Sequence, residues 1–192
     1  RQICCKTVRE ELEFNFKVQG IYDEDARRRV DEVIAHFGFE PDAEPYLLNR
    51  GTRQLLALAS IIVAAPPVVV LDEPTTGLDF RECTKVMEII SQLNEAGTTV
   101  IMVCHDMEVV GDYAKRSIAM TQGRVVADGP TFELLRDAEV LEKAHLVAPQ
   151  LLEIASKLVE AHPELAGTAI AAATTLDEMS AAIEAYLTQR EV

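Results

Sequence analysis

The sequence has no uninterrupted apolar run of membrane-spanning length. Its longest apolar stretch, Leu55 to Leu71, is broken by Ser60 and by Pro66-Pro67. A spanning helix needs about 20 consecutive apolar residues. The opening segment, RQICCKTVREELEF, has no secretory h-region. Cysteine is sparse, at four residues in 192, and no CxxC or Cys/His metal spacing occurs. Cys4 and Cys5 are adjacent, Cys83 and Cys104 fall in predicted core elements, and all four are expected to be reduced cytosolic thiols. Positive charge is in deficit: 18 Lys and Arg stand against 32 Asp and Glu, for a net charge of −14. That balance argues against nucleic-acid binding and against direct docking on anionic lipid, but not against docking on basic loops of a membrane protein. Internal repeats and low-complexity tracts are absent as well. The Ala-rich segment Ala166 to Ala173 comes nearest, and Ala is the best helix former.

What is present is ordinary globular composition, 48% hydrophobic and 26% charged, in a chain long enough for one large domain or a domain with an appendage. The chain is organised around Pro67 to Asp79, PVVVLDEPTTGLD. Val68 to Leu71 is a short apolar run rich in β-branched residues, which reads as a strand buried on both faces of a parallel sheet. Pro74 has no N–H to donate to a ladder, so the strand should stop near Glu73. Asp72 and Glu73 then sit at the carboxyl end of a parallel strand, where open α/β sheets bind ligands. A lone carboxylate pair there is more often a cap or a solvated turn.

The remaining elements follow from period and punctuation. Thr7 with Glu10 reads as a capping box at the start of a helix. Glu24 to Phe37 has apolar residues at helical spacing and a Gly38 stop. Asn49 caps an apolar helix that runs on through LLALASIIVAAPP, and a helix start of this kind can face an anion. Phe80 to Ala96 is a helix ending at Gly97, and Thr98 to Cys104 is a second buried strand. Strand, helix and strand at this spacing form a βαβ unit with parallel strands and a right-handed crossover. Both carboxyl ends then lie on one edge, so His105 is expected beside Asp72 and Glu73. Met107 to Ala114 is a short helix. Ser117 to Asp128 reads as a hairpin turning at Thr121 to Arg124. From Thr131 onward the chain is helical, with a capped helix at Thr131 to Asp137, then Ala138 to Leu146, Gln150 to His162 and Leu176 to Leu187.

LDEPTTGLD resembles the Walker B, catalytic Glu and D-loop segment of ABC-type ATPases. The resemblance implies that Asp72 holds Mg²⁺, through water, and that Glu73 orients and deprotonates the water attacking ATP. It makes Thr76, Gly77, Leu78 and Asp79 the D-loop, which in that family lies across a dimer interface. Upstream, Leu48-Asn49-Arg50-Gly51-Thr52-Arg53-Gln54 stands where the family has its LSGGQ signature, which covers ATP bound on the partner subunit. Leu48 and Gly51 agree with that motif, while Asn49, Arg50 and Thr52 replace Ser, Gly and Gln. This assigns Asn49, Arg50, Gly51, Thr52 and Gln54 to ATP contact. His105, after the second strand, corresponds to the family's switch His, expected to contact the γ-phosphate and Glu73. The opening residues resemble those of energy-coupling-factor ATPases, the ABC proteins that drive vitamin and metal-ion import. Gln2 matches the end of their Q-loop region, or is simply a terminal polar residue.

The phosphate-binding sequence GxxxxGK[ST] does not occur in these 192 residues. It is expected upstream of Arg1, so the chain is read as part of an ATPase subunit that does not hydrolyse ATP alone. The fold class implied is α/β: a partial P-loop NTPase (ABC ATPase) core with parallel strands, a helical subdomain and a C-terminal helical extension. Residues 1–50 correspond to the helical subdomain, 51–135 to the C-terminal part of the ATPase core, and 136–192 to a helical extension that serves dimerisation or packs on its own core. The resemblance implies ATP and Mg²⁺ as cofactors, a second ABC ATPase subunit and a transmembrane component as partners, no nucleic acid, and a cytoplasmic location on the inner face of the cell membrane. The stretch Thr7 to Tyr22 is expected to be an acidic docking surface. A non-transport ABC ATPase and a non-catalytic dimerisation fragment remain open.

Overall fold

Thr7 caps the first helix, α1 (Val8–Gln19), its hydroxyl accepting from Glu10 N at 3.2 Å. The other half of the expected box takes a different partner, because the Glu10 carboxylate accepts from Lys6 N. α2 (Glu24–Phe37) starts at Asp23, and both helices end on glycines, Gly20 and Gly38, at positive φ. The chain then crosses a single 3₁₀ turn at Pro45–Leu47 before α3 (Arg50–Ile62). Val8, Leu12 and Phe16 of α1 meet Ala26, Val30 and Ile34 of α2 and Leu56 and Ala59 of α3 in one core. The computed structural model describes residues 3–190, with side chains through 188, so Gln2 lies outside the described residues.

Two of the three carboxylates on α1 point inward, while Glu10 stays exposed. Glu11 is buried and accepts the Cys4 and Cys5 amides. Glu13 is buried against Lys17 and the Tyr22 hydroxyl, at 2.5 and 2.6 Å. Burial pushes the Glu13 carboxyl up, but those two hydrogen bonds outweigh it and hold it below the usual carboxylate range. Both inward carboxylates are satisfied by local donors.

β1 (Val68–Asp72), α4 (Phe80–Glu95) and β2 (Thr99–Val103) form the βαβ unit, and β1 pairs with β2 in parallel from Val68↔Thr99 to Asp72↔Val103. α4 packs on β2 through a face that includes the buried Val86, Met87 and Ile90. The expected burial on both faces of these strands is overturned. Val69 and Leu71 are buried, but Val68 and Val70 are 51% and 65% exposed, and Ile101 and Val103 are also exposed. A run of apolar residues specifies strand but not how many of its faces are covered, and within this unit one face stays open.

After Val103 the chain enters a second compact unit. α5 (Met107–Tyr113) leads into an antiparallel hairpin of β3 (Arg116–Thr121) and β4 (Arg124–Pro130). Its two turn residues, Gln122 and Gly123, both have positive φ, as a two-residue hairpin turn requires. α6 (Thr131–Arg136) follows Pro130 without a side-chain cap, unlike the capped start expected there. The Thr131 side chain is buried instead, sharing a 2.8 Å hydrogen bond with Ser117 Oγ. Next come α7 (Ala138–Ala144), α8 (Gln150–Ala161), α9 (Ala169–Ala172) and α10 (Leu176–Arg190). Ala155, Leu165, Ile170, Ala173, Met179 and Ala182 form a core shared by α8, α9 and α10, whereas Ala144 of α7 packs with Ala119 and Leu134. The Arg136 guanidinium ties α6 to this region by donating to the Ala172 and Ala173 carbonyls. Among the described residues, no helix is long and apolar enough to cross a membrane.

Leu12→Ala removes a fully buried side chain and should cost about 2–5 kcal/mol in urea unfolding. Val68→Thr lies on the open face of β1 and should change stability by no more than about 0.5 kcal/mol. A loss above about 1.5 kcal/mol for Val68→Thr would mean that the face is covered.

Candidate functional site

The site is built where β1 runs out. Its last ladder bond is Glu73 N donating to the Val103 carbonyl at 2.9 Å. Pro74 then has no N–H to continue. Glu73 itself has φ +46°, in the left-handed region that disfavours any side chain with a Cβ. Two overlapping turns follow, with Thr76 N donating to the Glu73 carbonyl and Leu78 N to the Thr75 carbonyl, each at 3.2 Å. The Thr76 hydroxyl donates to the Glu73 carboxylate at 2.9 Å, so the turn holds the side chain as well as the backbone.

Asp79 closes the loop by capping α4. Its carboxylate accepts from Glu82 N at 2.8 Å, and the Glu82 carboxylate accepts from Asp79 N at 3.2 Å. This reciprocal capping box was readable as Asp-x-x-Glu before an apolar run. Sequence reasoning passed over Glu82 because Asp79 already carried a reading as D-loop.

The start of α3 is locked onto this loop. Asn49 is the helix cap, its side-chain oxygen accepting from Thr52 N at 2.8 Å. The Arg50 guanidinium donates to the Thr76 carbonyl at 3.1 Å and lies over Gly77, where a Cβ would come within 2.3 Å of it. Gly77 also has φ +72°, so both space and backbone call for glycine there. Gly51 sits against the Glu82 carboxylate, and a Cβ at this position would be 1.8 Å from its oxygen. Gln54 donates from Nε2 to the Pro74 carbonyl at 3.0 Å. No sequence signal announced these contacts, since 20 or more residues separate their partners.

Arg50, Gln54, Asp72, Glu73 and Thr76 line one open cavity of about 620 Å³. Most of the residues singled out from sequence therefore converge within the first unit. Leu78 and Asp79 belong to the adjoining turns, and Asn49 and Thr52 to the helix cap. His105 lies in the second unit, just before α5, whose cap is Asp106. In that unit burial, and then the charges of Glu108 and Asp106, hold the Asp112 carboxyl above the ordinary carboxylate range.

A carboxylate pair at a strand end, a helix start and an amide side chain around one cavity suit a polyanionic ligand with a hard cation. Comparison with known proteins finds relatives whose names state ATP binding. A family profile described as "AAA domain, putative AbiEii toxin, Type IV TA system" matches residues 9–111, more than half of the chain. An energy-coupling factor transporter ATP-binding protein of Mycoplasmopsis pulmonis is 30% identical over 99% of this chain and 62% of its own length. Its counterpart in Methanocaldococcus jannaschii is 35% identical over 81% of this chain and 58% of its own. Among solved structures, cbiO1 of Clostridium perfringens, described as part of the ABC transporter complex cbiONQ, superposes with a TM-score of 0.61. That match has 28% identity and covers 85% of this chain and 61% of that one. The chain spans from about a quarter to about three-fifths of the length of the curated relatives it matches. With the α/β fold, the parallel pair and these matches together, the chain belongs to the AAA-domain family, among the ABC transporter ATP-binding proteins.

Proposed function

We propose that the first unit supplies part of the ATP site of an ABC importer ATPase of the energy-coupling-factor type, serving vitamin or metal-ion uptake. The observation that carries this reading is the convergence of Arg50, Gln54, Asp72, Glu73 and Thr76 on one cavity. Asp72 is an exposed carboxylate at a strand end, a donor set that fits Mg²⁺. Bound there, the ion would neutralise charge on the phosphates. Glu73 is the proposed base: Thr76 orients its carboxylate, and the turn fixes its backbone. At the start of α3 the Asn49 cap takes the Thr52 N–H, while the N–H groups of Arg50 and Gly51 are not taken by that cap and suit a phosphate oxygen. Arg50 adds a cation and Gln54 an amide. His105 keeps its proposed role as the switch residue at the γ-phosphate.

Residues 76–79 are proposed to face a second ATPase subunit. Phe80, next to them and 86% exposed, agrees with a face awaiting a partner. We assign residues 1–50 to the helical subdomain, 51–135 to the ATPase core and 136–192 to a helical extension that supports pairing. The other proposed partner is a transmembrane component, and the proposed location is the cytoplasmic face of the membrane. Since GxxxxGK[ST] is not among these 192 residues, they hold a share of the site and do not hydrolyse ATP alone.

Calorimetry with ATP and Mg²⁺, on this chain and on a longer version that includes a GxxxxGK[ST] segment, tests the reading. The longer version should bind tightly and the short one weakly. Binding by neither would remove the nucleotide reading and leave an interaction module. In the longer version, Glu73→Gln should lower turnover about 10²–10⁴-fold with ATP binding retained. Gly77→Ala should cost about 1 kcal/mol or more in unfolding, because Ala cannot take φ +72° without strain. It should also lower turnover more than ATP affinity, by displacing Arg50. Loss of ATP affinity with turnover unchanged would show that the Arg50 contact serves binding alone.

A further inference from the structure

We infer that Cys4, Cys5 and Glu11 form a binding site for a thiophilic divalent cation of the zinc class. One ligand atom from each residue lies within 4.8 Å of the other two, and the two sulfurs are 4.0 Å apart. A tetrahedral zinc ion with bonds of about 2.3 Å to sulfur requires two sulfurs about 3.8 Å apart. The sulfur pair is therefore within a few tenths of an ångström of that spacing.

The preorganisation comes from the backbone. Glu11 lies on the buried side of α1, 1% exposed, and its Oε2 accepts from Cys4 N at 3.0 Å and Cys5 N at 2.9 Å. Those bonds fold the segment before Thr7 back toward the helix and bring both thiols to the carboxylate. Cys4 is exposed and Cys5 half-buried, so an ion can enter from solvent and keep a fourth position for water. The donor chemistry selects the metal. Two sulfurs and one carboxylate oxygen suit zinc, whereas Mg²⁺ and Ca²⁺ call for an all-oxygen shell. On binding, each thiol releases its proton to solvent as its metal–sulfur bond forms. The cation then neutralises two of the three negative charges so assembled, which favours a carboxylate held out of water. The spacing escapes any motif search because two ligands are adjacent and the third arrives through the fold-back. The inference does not depend on the nucleotide reading.

The test is titration of the reduced 192-residue chain with Zn²⁺ against a chromophoric chelator, and with Co²⁺ followed by its thiolate charge-transfer absorption. One equivalent should bind, with a tetrahedral cobalt spectrum. The double variant Cys4→Ser/Cys5→Ser should lose the charge-transfer band and at least about tenfold in affinity. Cys83→Ser/Cys104→Ser should keep both. Glu11→Gln retains an acceptor for the two amides and should weaken binding with helix content by circular dichroism unchanged. Absence of one-equivalent binding, or undiminished binding by Cys4→Ser/Cys5→Ser, would overturn the site whether or not Glu11→Gln folds.

Discussion

Much of the first unit depends on how one parallel ladder ends. β1 and β2 stay in register to Asp72↔Val103, one more bond runs from Glu73 N to Val103, and Pro74 prevents another. That stop turns an extended chain into two linked turns within a few residues. Asp72 is left at the rim of the pair, Glu73 is held at a left-handed φ, and Thr76 comes back to its carboxylate. An isolated pair of strands is marginal in water, so the ladder in turn needs α4 against its covered face.

The second constraint is the clasp between the start of α3 and the loop after β1. Arg50 on Gly77, Gly51 against Glu82 and Gln54 on the Pro74 carbonyl bind two segments that are distant in sequence. Each contact is small alone, a hydrogen bond contributing about 1 kcal/mol net. Their effect is geometric: the helix start and the carboxylates cannot move independently. In the proposed reading, a ligand touching one would be felt by the other. Arg50 at the first turn of a helix is electrostatically unfavourable, and its engagement with the Thr76 carbonyl gives that charge a partner.

Elements set by local chemistry were legible. α2 and α4 follow from apolar spacing and glycine stops, and the hairpin from Gln122-Gly123 between two β-rich runs. The parallel pairing followed from the length of the crossover. What depends on tertiary surroundings was not legible. Val68 and Val70 look like core residues in sequence, yet they stand on an open face. Glu11 and Glu13, within the stretch read as acidic, are buried, since their satisfying donors come from the fold-back before α1, from Lys17 and from Tyr22. At the site, residue types were readable from LDEPTTGLD, but the clasp was not, because it joins segments that only the folded chain brings together.

The backbone at Glu73 has a consequence for how such a chain can change. A left-handed φ costs a residue with a Cβ about 1–2 kcal/mol, and glycine pays none of it. On backbone strain alone glycine is favoured at this position, and the substitution would delete the carboxylate beside Thr76. Thermostability and chemistry pull in opposite directions on a single residue. A variant that relieves the backbone at Glu73 with glycine gives up the carboxylate in the same step.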